Sequence, residues 1–498
     1  MSAYSSLLSR FRDLDTLEAA GGLMSWDQQV LMPSGGTPAR TAHLTRLTRL
    51  RHELLVSDET QRLIEEAGKE VEPGSNEAAS VRVLKRELDQ KTKLPLDLVQ
   101  KKAEVSSAAY GVWKKAKATS DFAAMRPYYE QLFDIARETS ERLTQGEAHV
   151  YDALLDLYEE DARYEDARLM FQGIKKPISE LVQRIREEGT PVDDTPLSKD
   201  FDRPRLRQFA QETAAQIGFD FDRGRLDIAP NAFCGGSNRG DIRMTTRASE
   251  HFRGIMSSSL HEMGHGLYEQ GSPAKWDMTP IAGGTSLAVH ESQSRLWENI
   301  VGRSRGFWTF FLPRLQAAFP ELSDVTADQM WRMMSKVEPT FIRVGSDELT
   351  YNMHILVRFE LEVEILTGQV QVKDLPEAWN AKYQAYLGIT PPNDGLGCLQ
   401  DVHWSRGSIG YFSTYAMGNL IGGAVWANLC AELGHVESDM SGGDFSGILG
   451  WLQDRIYTKG KLFKPRALVE SITGGYLDPE PWLSYAKRKY ADVYQLPG

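Results

Sequence analysis

The chain has 498 residues, 41% of them hydrophobic, enough to bury a large core as one domain or as two or three. Lys+Arg 57 against Asp+Glu 69 leave a net charge of −12, and this acidic balance argues against nucleic acid or an anionic membrane surface as partner. Three cysteines, Cys234, Cys398 and Cys430, are far apart and odd in number, so they form no disulfide framework and fit reduced thiols in a cytoplasmic protein.

In chain order, "MSAYSSLLSRFRDLD" brings Arg10, Arg12 and Asp13 before any apolar stretch of signal-peptide length, so no secretory signal is expected. The first two hundred residues predict long helices. "TAHLTRLTRLRHELLVSDETQRLIEEAG" spaces Leu44, Leu47, Leu50 and Leu54 helically, with charges between. "NEAASVRVLKRELDQKT" and "AAMRPYYEQLFDIARETSERL" repeat the pattern without a fixed period, which argues against a solenoid. "EEGTPVDDTPLSKD" (187 to 200), rich in Pro, Asp and Thr, is the best linker candidate, separating a helical region 1–190 from a second region 200–498, unless both belong to one continuous domain. "RLDIAP" and "GDIRMTTR" alternate apolar with polar residues and predict two strands. Helical patterns then resume almost to the C-terminus. The predicted class is mostly α with one small β-sheet. The uncharged stretch 407–431 is long enough to span a bilayer, but its Ser, Thr and Asn residues and its lack of a basic flank identify it as a buried core helix.

"SSSLHEMGHGLYEQ" (257 to 270) follows the predicted sheet directly. At about 100° per residue, His261 and His265 lie one above the other, with Glu262 and Glu269 near the same side. Leu260, Met263, Gly264 and Leu267 face the other way, toward a core. This is the HExxH pattern: two imidazoles bind Zn²⁺, and the glutamate serves as general base toward a water the ion activates. Gly264 and Gly266 each cost a helix about 1 kcal/mol relative to Ala, which is tolerable where bare backbone lets a second element pack close. Tyr268 and Gly271 stand where a metzincin needs Gly and His, so the third ligand comes from elsewhere. In "GGTSLAVHESQSRLWENI", Val289, Leu296, Trp297 and Ile300 form an apolar face, and Leu287, Glu291, Ser294 and Glu298 the opposite one. Glu291, 26 residues after His265, is the third-ligand candidate, with Glu298 the weaker alternative.

These residues resemble the carboxypeptidase Taq family of metallopeptidases, M32, in several ordered motifs. "GDIRMTTR" is similar to its DxRxT element, HEMGH to its zinc motif, and "HESQS" (290 to 294) to its third-ligand segment, which supports Glu291. "IRVGSDELTYNMH" (342 to 354) resembles the element holding a substrate-binding arginine, "GCLQDVHW" fits GxxQDxHW, and "GYFSTY" (410 to 415) fits the segment after it. "MSWDQQVLMPSGG" is similar to the family's opening helix and turn. One departure stands out: Asn231, Ala232 and Phe233 replace a frequent His-Pro-Phe. The resemblance implies release of single residues from free peptide C-termini, with broad specificity and poor release next to proline. It also implies a helical fold with a long deep groove that the region 1–190 lines or caps, commonly a homodimer, and one Zn²⁺ or Co²⁺ per chain.

Peptide hydrolysis develops an oxyanion that needs a donor; Tyr411, Tyr415 and His403 are the candidates. An exopeptidase also needs a cation for the terminal carboxylate. Arg343 is favoured by its motif and Arg406 is second, because a guanidinium binds carboxylate bidentately. Asp347 and Asp401 read as acids that orient such groups, and His354 and His290 as core histidines. Two rival readings exist. An endopeptidase or oligopeptidase could use the same metal set, but the Arg343 element favours C-terminal capture. A metal-stabilised peptide-binding protein without turnover would leave Glu262 no task.

Overall fold

Twenty α-helices and a three-stranded sheet follow one another in the computed structural model, which describes residues 2–144, 148–247 and 251–497. The N-terminal group is α1 (Ala3–Val30), α2 (Thr37–Leu55), α3 (Asp58–Glu70) and α4 (Asn76–Thr92). Then come α5 (Leu96–Thr119), α6 (Phe122–Leu143), α7 (Val150–Asp156), α8 (Tyr164–Glu188) and α9 (Arg203–Ile217). The sheet is β1 (Gly224–Ala229), β2 (Cys234–Gly236) and β3 (Ile242–Arg247). α10 (Phe252–Gln270) carries HEMGH, and α11 (Leu287–Arg295) runs into a π-helical turn at Leu296–Val301. The remainder is α12 (Arg305–Ala318), α13 (Ala327–Met334), α14 (Tyr351–Leu366), α15 (Leu375–Leu387), α16 (Ser413–Leu433), α17 (Val436–Gly442), α18 (Ser446–Arg455), α19 (Pro465–Thr473) and α20 (Glu480–Tyr494). The class is mostly α with one small sheet, as the periodicity predicts.

Local chemistry decides where helices start. The leucine-spaced stretch divides into α2 and α3 because Ser57 is extended (φ −64°, ψ 149°) and its hydroxyl accepts from the Thr60 N–H, capping a new helix. Leu44, Leu47, Leu50 and Leu54 stay half-buried, and Leu55 is the residue of α2 that is fully buried. The sheet has three strands where alternation predicts two, in the order β1-β3-β2. β1 runs parallel to β3, with Gly224 opposite Ile242, and β2 is antiparallel to β3, with Cys234 opposite Met244. β2 is too short and glycine-rich to alternate. Gly236 is required there, since a Cβ would lie 2.2 Å from the Asp241 carbonyl oxygen.

One buried core runs from Ala109 in α5 to Tyr494 in α20, so it continues across the segment 187–200. A smaller one joins Leu7, Leu63, Ile64 and Leu84 of α1, α3 and α4. Trp26 ties that group to the sheet: Arg243 and Arg225 sit 4.3 and 5.1 Å from its ring centroid. α16 takes up the uncharged stretch only from Ser413 onward and is buried through most of its length; residues 407–412, with Gly407 and Gly410 at positive φ, turn before it instead of continuing the helix. Among the described residues no helix is long and apolar enough to cross a membrane.

Candidate active site

α10 presents its amphipathic faces as the spacing predicts. Leu260, Met263, Gly264 and Leu267 are buried, while His261, His265 and Glu269 keep partial access to a cavity of about 670 Å³. α11 closes against α10 at glycine positions. A Cβ on Gly264 would lie 2.6 Å from Ser294 Cα and 2.8 Å from the Gln293 carbonyl oxygen. On the other side of α11, a Cβ on Gly418 of α16 would lie 2.7 Å from Glu291 Cβ. Glu291 is thus held between two helices that approach without side chains. Gly266 has a different partner, since its Cβ would strike Phe219 at 2.7 Å.

This packing brings three donors together. Glu291 Oε2 lies 3.7 Å from His261 Nε2 and 3.9 Å from His265 Nε2, and the three donor atoms all fall within 4.8 Å of one another. Two imidazoles and one carboxylate converging on a cavity suit a divalent ion such as Zn²⁺ with room left for a further ligand. Glu298 stands on the other side of His261, its Oε2 2.9 Å from Nδ1. The weaker third-ligand alternative thus pairs with His261, itself a candidate ligand. The π-helical turn, wound wider than an α-helix, carries Glu298 there. Arg295 binds both carboxylates, at 2.7 Å to Glu291 Oε1 and 3.3 Å to Glu298 Oε2, which leaves Glu291 Oε2 turned toward the two imidazoles. Burial opposes ionisation of Glu298, but Arg295, His261 and Arg303 outweigh it and pull its carboxyl down to about 2.

Glu262 is buried and lines the cavity. Burial raises its carboxyl to about 7, His261 opposing and Glu291 and Glu298 adding to the rise. A cation bound among the ligands lowers it again. Tyr411, Tyr415 and Thr414, at the start of α16, form the facing wall. His403 stands behind Tyr415, with Nε2 3.2 Å from its hydroxyl. Burial and the neighbouring Arg343 push His403 down to about 3, so it is neutral across physiological pH.

Neither arginine candidate is part of the cavity wall. Arg343 is 5% exposed, with its guanidinium 5.0 Å from the Tyr415 ring centroid. Nε and one terminal nitrogen donate to Asp401 Oδ1 at 3.1 and 2.8 Å, and the other terminal nitrogen donates to Tyr351 at 2.9 Å. Arg406 is exposed and sits 4.9 Å over the Tyr110 ring. Asp401 also binds Arg358 at 2.6 Å, and the two arginines hold its carboxyl far below the usual range against the effect of burial. Asp347 accepts from Leu349 N, Thr350 N and the Thr350 hydroxyl, fastening the loop after Arg343. His354 is fully buried, 2.9 Å from the Tyr383 hydroxyl. His290, expected in the core, instead lines the cavity.

Sequence reasoning missed a buried polar stripe on α14. Tyr351, His354, Arg358 and Glu362 recur every three or four residues on one helix face; Arg358 and Glu362 bind the loop before α16, while Tyr351 meets Arg343 and His354 meets Tyr383. Glu362 accepts from Trp404 Nε1 at 2.7 Å, the Tyr151 hydroxyl at 2.7 Å and the Gly410 N–H at 3.1 Å. It therefore pins the residues next to His403 and Tyr411. The signal was present: four polar side chains at helical spacing along one face of a largely apolar helix.

A two-histidine helix and a glutamate helix meeting at an open cavity, on a mostly helical scaffold, form a candidate metal site of the kind a helical metallopeptidase needs. The family model for the carboxypeptidase Taq (M32) metallopeptidases matches residues 6–490, and the chain belongs to that family. It is 38% identical to thermostable carboxypeptidase 1 of Thermus thermophilus, over 99% of both chains. It is 35% identical to thermostable carboxypeptidase 1 of Pyrococcus furiosus, over 97% of each. The crystal structure of an M32 carboxypeptidase from Deinococcus radiodurans superposes with a TM-score of 0.95 at 34% identity, covering 99% of each chain. The protein is a metallocarboxypeptidase, a peptide hydrolase.

Proposed function

We propose that the chain removes single residues from free peptide C-termini with broad side-chain specificity and poor release next to proline. His261, His265 and Glu291 hold one divalent ion, Zn²⁺ with Co²⁺ able to replace it. Such an ion supplies a Lewis acid that polarises the scissile carbonyl and makes water a stronger acid. Glu262 takes the proton of the attacking water and hands it to the leaving amine. The hydroxyls of Tyr411 and Tyr415 face the developing oxyanion, and neutral His403 orients Tyr415 from behind. Arg343 receives the terminal carboxylate and fixes the register one residue from the end. Arg343 is favoured over Arg406 because it packs on the ring of Tyr415, which lines the cavity, whereas Arg406 lies exposed over Tyr110, which does not. The chain works in the cytoplasm, as a homodimer.

One observation carries the reading: the base, the three ligand candidates and two phenolic donors line the same cavity. Mass spectrometry of a peptide with a free C-terminus beside its C-terminal amide tests it. Stepwise loss of end residues from the free acid alone is expected. Equal cleavage of both, or cuts inside the chain, would mark an endopeptidase. Sedimentation of the purified chain checks the dimer.

A further inference from the structure

The two histidine candidates are backed differently. His261 Nδ1 meets a carboxylate directly, whereas His265 Nδ1 lies 3.3 Å from Nδ1 of another imidazole, His290. His290 Nε2 in turn lies 2.7 Å from Glu269 Oε1, one helical turn beyond His265 on α10. With Nε2 of His265 given to the proposed ion, its proton sits on Nδ1, and the rest of the chain has one self-consistent arrangement. His265 Nδ1–H donates to His290 Nδ1, and His290 Nε2–H donates to the Glu269 carboxylate.

The surroundings are shaped to hold this chain. Gly284 donates its backbone N–H to Glu269 Oε1 at 3.1 Å. A Cβ at Gly284 would stand 2.2 Å from His290 Nε2, so only a bare backbone fits beside the ring. Gly283, with φ +76°, makes the turn that brings Gly284 there. The Tyr268 ring covers His290 with centroids 4.7 Å apart. The contacts therefore come from α10, α11 and the loop between them.

We propose that His290 and Glu269 form a two-residue relay that keeps His265 in its ligand tautomer and orientation. His290 is a positioning residue, acting by accepting one hydrogen bond at Nδ1. It rests on the metal reading of His261, His265 and Glu291, and it predicts that ion affinity, rather than peptide affinity, depends on His290.

The experiment is Zn²⁺ affinity by chelator competition on the full chain, with the absorption spectrum of the Co²⁺ form and the melting temperature of the metal-free form beside it. His290→Ala is expected to weaken Zn²⁺ binding by about 10- to 100-fold, without lowering the metal-free melting temperature in proportion. His290→Asn places an amide oxygen where Nδ1 was and recovers most of that loss. Glu269→Ala frees the His290 ring and gives a smaller loss with a changed Co²⁺ spectrum. Wild-type affinity in His290→Ala overturns the relay, as does a His290→Asn protein no better than His290→Ala. A raised KM with unchanged Zn²⁺ affinity also overturns it and makes His290 a substrate contact. Wild-type chain that binds no ion, or His265→Ala that holds it undiminished, sinks the metal reading instead.

Discussion

The two walls of the active-site cavity are built by opposite means. The wall of α10 and α11 is regular helix, and its chemistry follows from which side chains share a face. His261 and His265 repeat every four residues, and glycines bring Glu291 to them. The wall of residues 397–415 is loop and short 3₁₀ turn that enters α16 only at Ser413, and its loop is held by buried charges from α14. Helix geometry positions ligands through backbone packing, so small steric changes disturb it. The loop depends on hydrogen bonds to ionised side chains, so charge changes disturb it.

The sharpest difference should appear at the base. Glu262→Gln preserves the shape of the helical wall, so metal content should stay at wild-type level while kcat falls by about 10²- to 10⁴-fold. Elemental analysis beside turnover checks both, and near-normal turnover ends the assignment. On the loop wall, Tyr411→Phe and Tyr415→Phe each remove one donor, and the one that binds the oxyanion should lose kcat by about 10²- to 10³-fold. An unchanged kcat in both variants would move the role to His403.

Arg343→Ala should lower kcat/KM for free-ended peptides by about 100-fold, the equivalent of roughly 2 to 3 kcal/mol of charge-assisted bonding. The already slow cleavage of amidated peptides should barely change. Equal losses on both substrates would make Arg343 structural and shift the carboxylate site to Arg406.

Gly264→Ala tests the packing claim of the helical wall. Its new methyl would press on the Ser294 backbone, costing about 1 to 3 kcal/mol in denaturant unfolding and loosening the ion. A variant of unchanged stability and metal affinity would show that α10 and α11 have slack between them.

The smallest effect concerns pH. Burial raises the Glu362 carboxyl to about 7, with neutral donors around it too weak to cancel the effect. In the unfolded chain it titrates near 4.5, so the unfolded state loses its proton first as pH rises. Its contribution to stability is complete below about 4.5 and is lost as pH climbs toward about 7. Glu362→Gln should flatten that part of the curve in urea unfolding between pH 5 and 8. A variant that keeps the wild-type slope would place the titration elsewhere.

The sequence by itself determined the helical class and the placement of His261, Glu262 and His265 on one helix face, and it offered Glu291, with Glu298 as the alternative, as their partner. Those inferences need only helix periodicity and ligand chemistry, which are local. It also carried the family resemblance, because the motifs are short and ordered. Tertiary structure alone placed Glu298, in its π-helical turn, against His261 Nδ1, and turned Glu291 toward Nε2 of both imidazoles. It also put His290 in the cavity wall, joined to residues 25 and 21 positions earlier in the chain. Arg343, Arg358 and Asp401 became one network, and Glu362 an anchor for Trp404 and Gly410 beside it, only when α14 packed beneath the loop. Pairing of buried charges depends on which segments meet, and a linear pattern of charges holds no record of distance between segments.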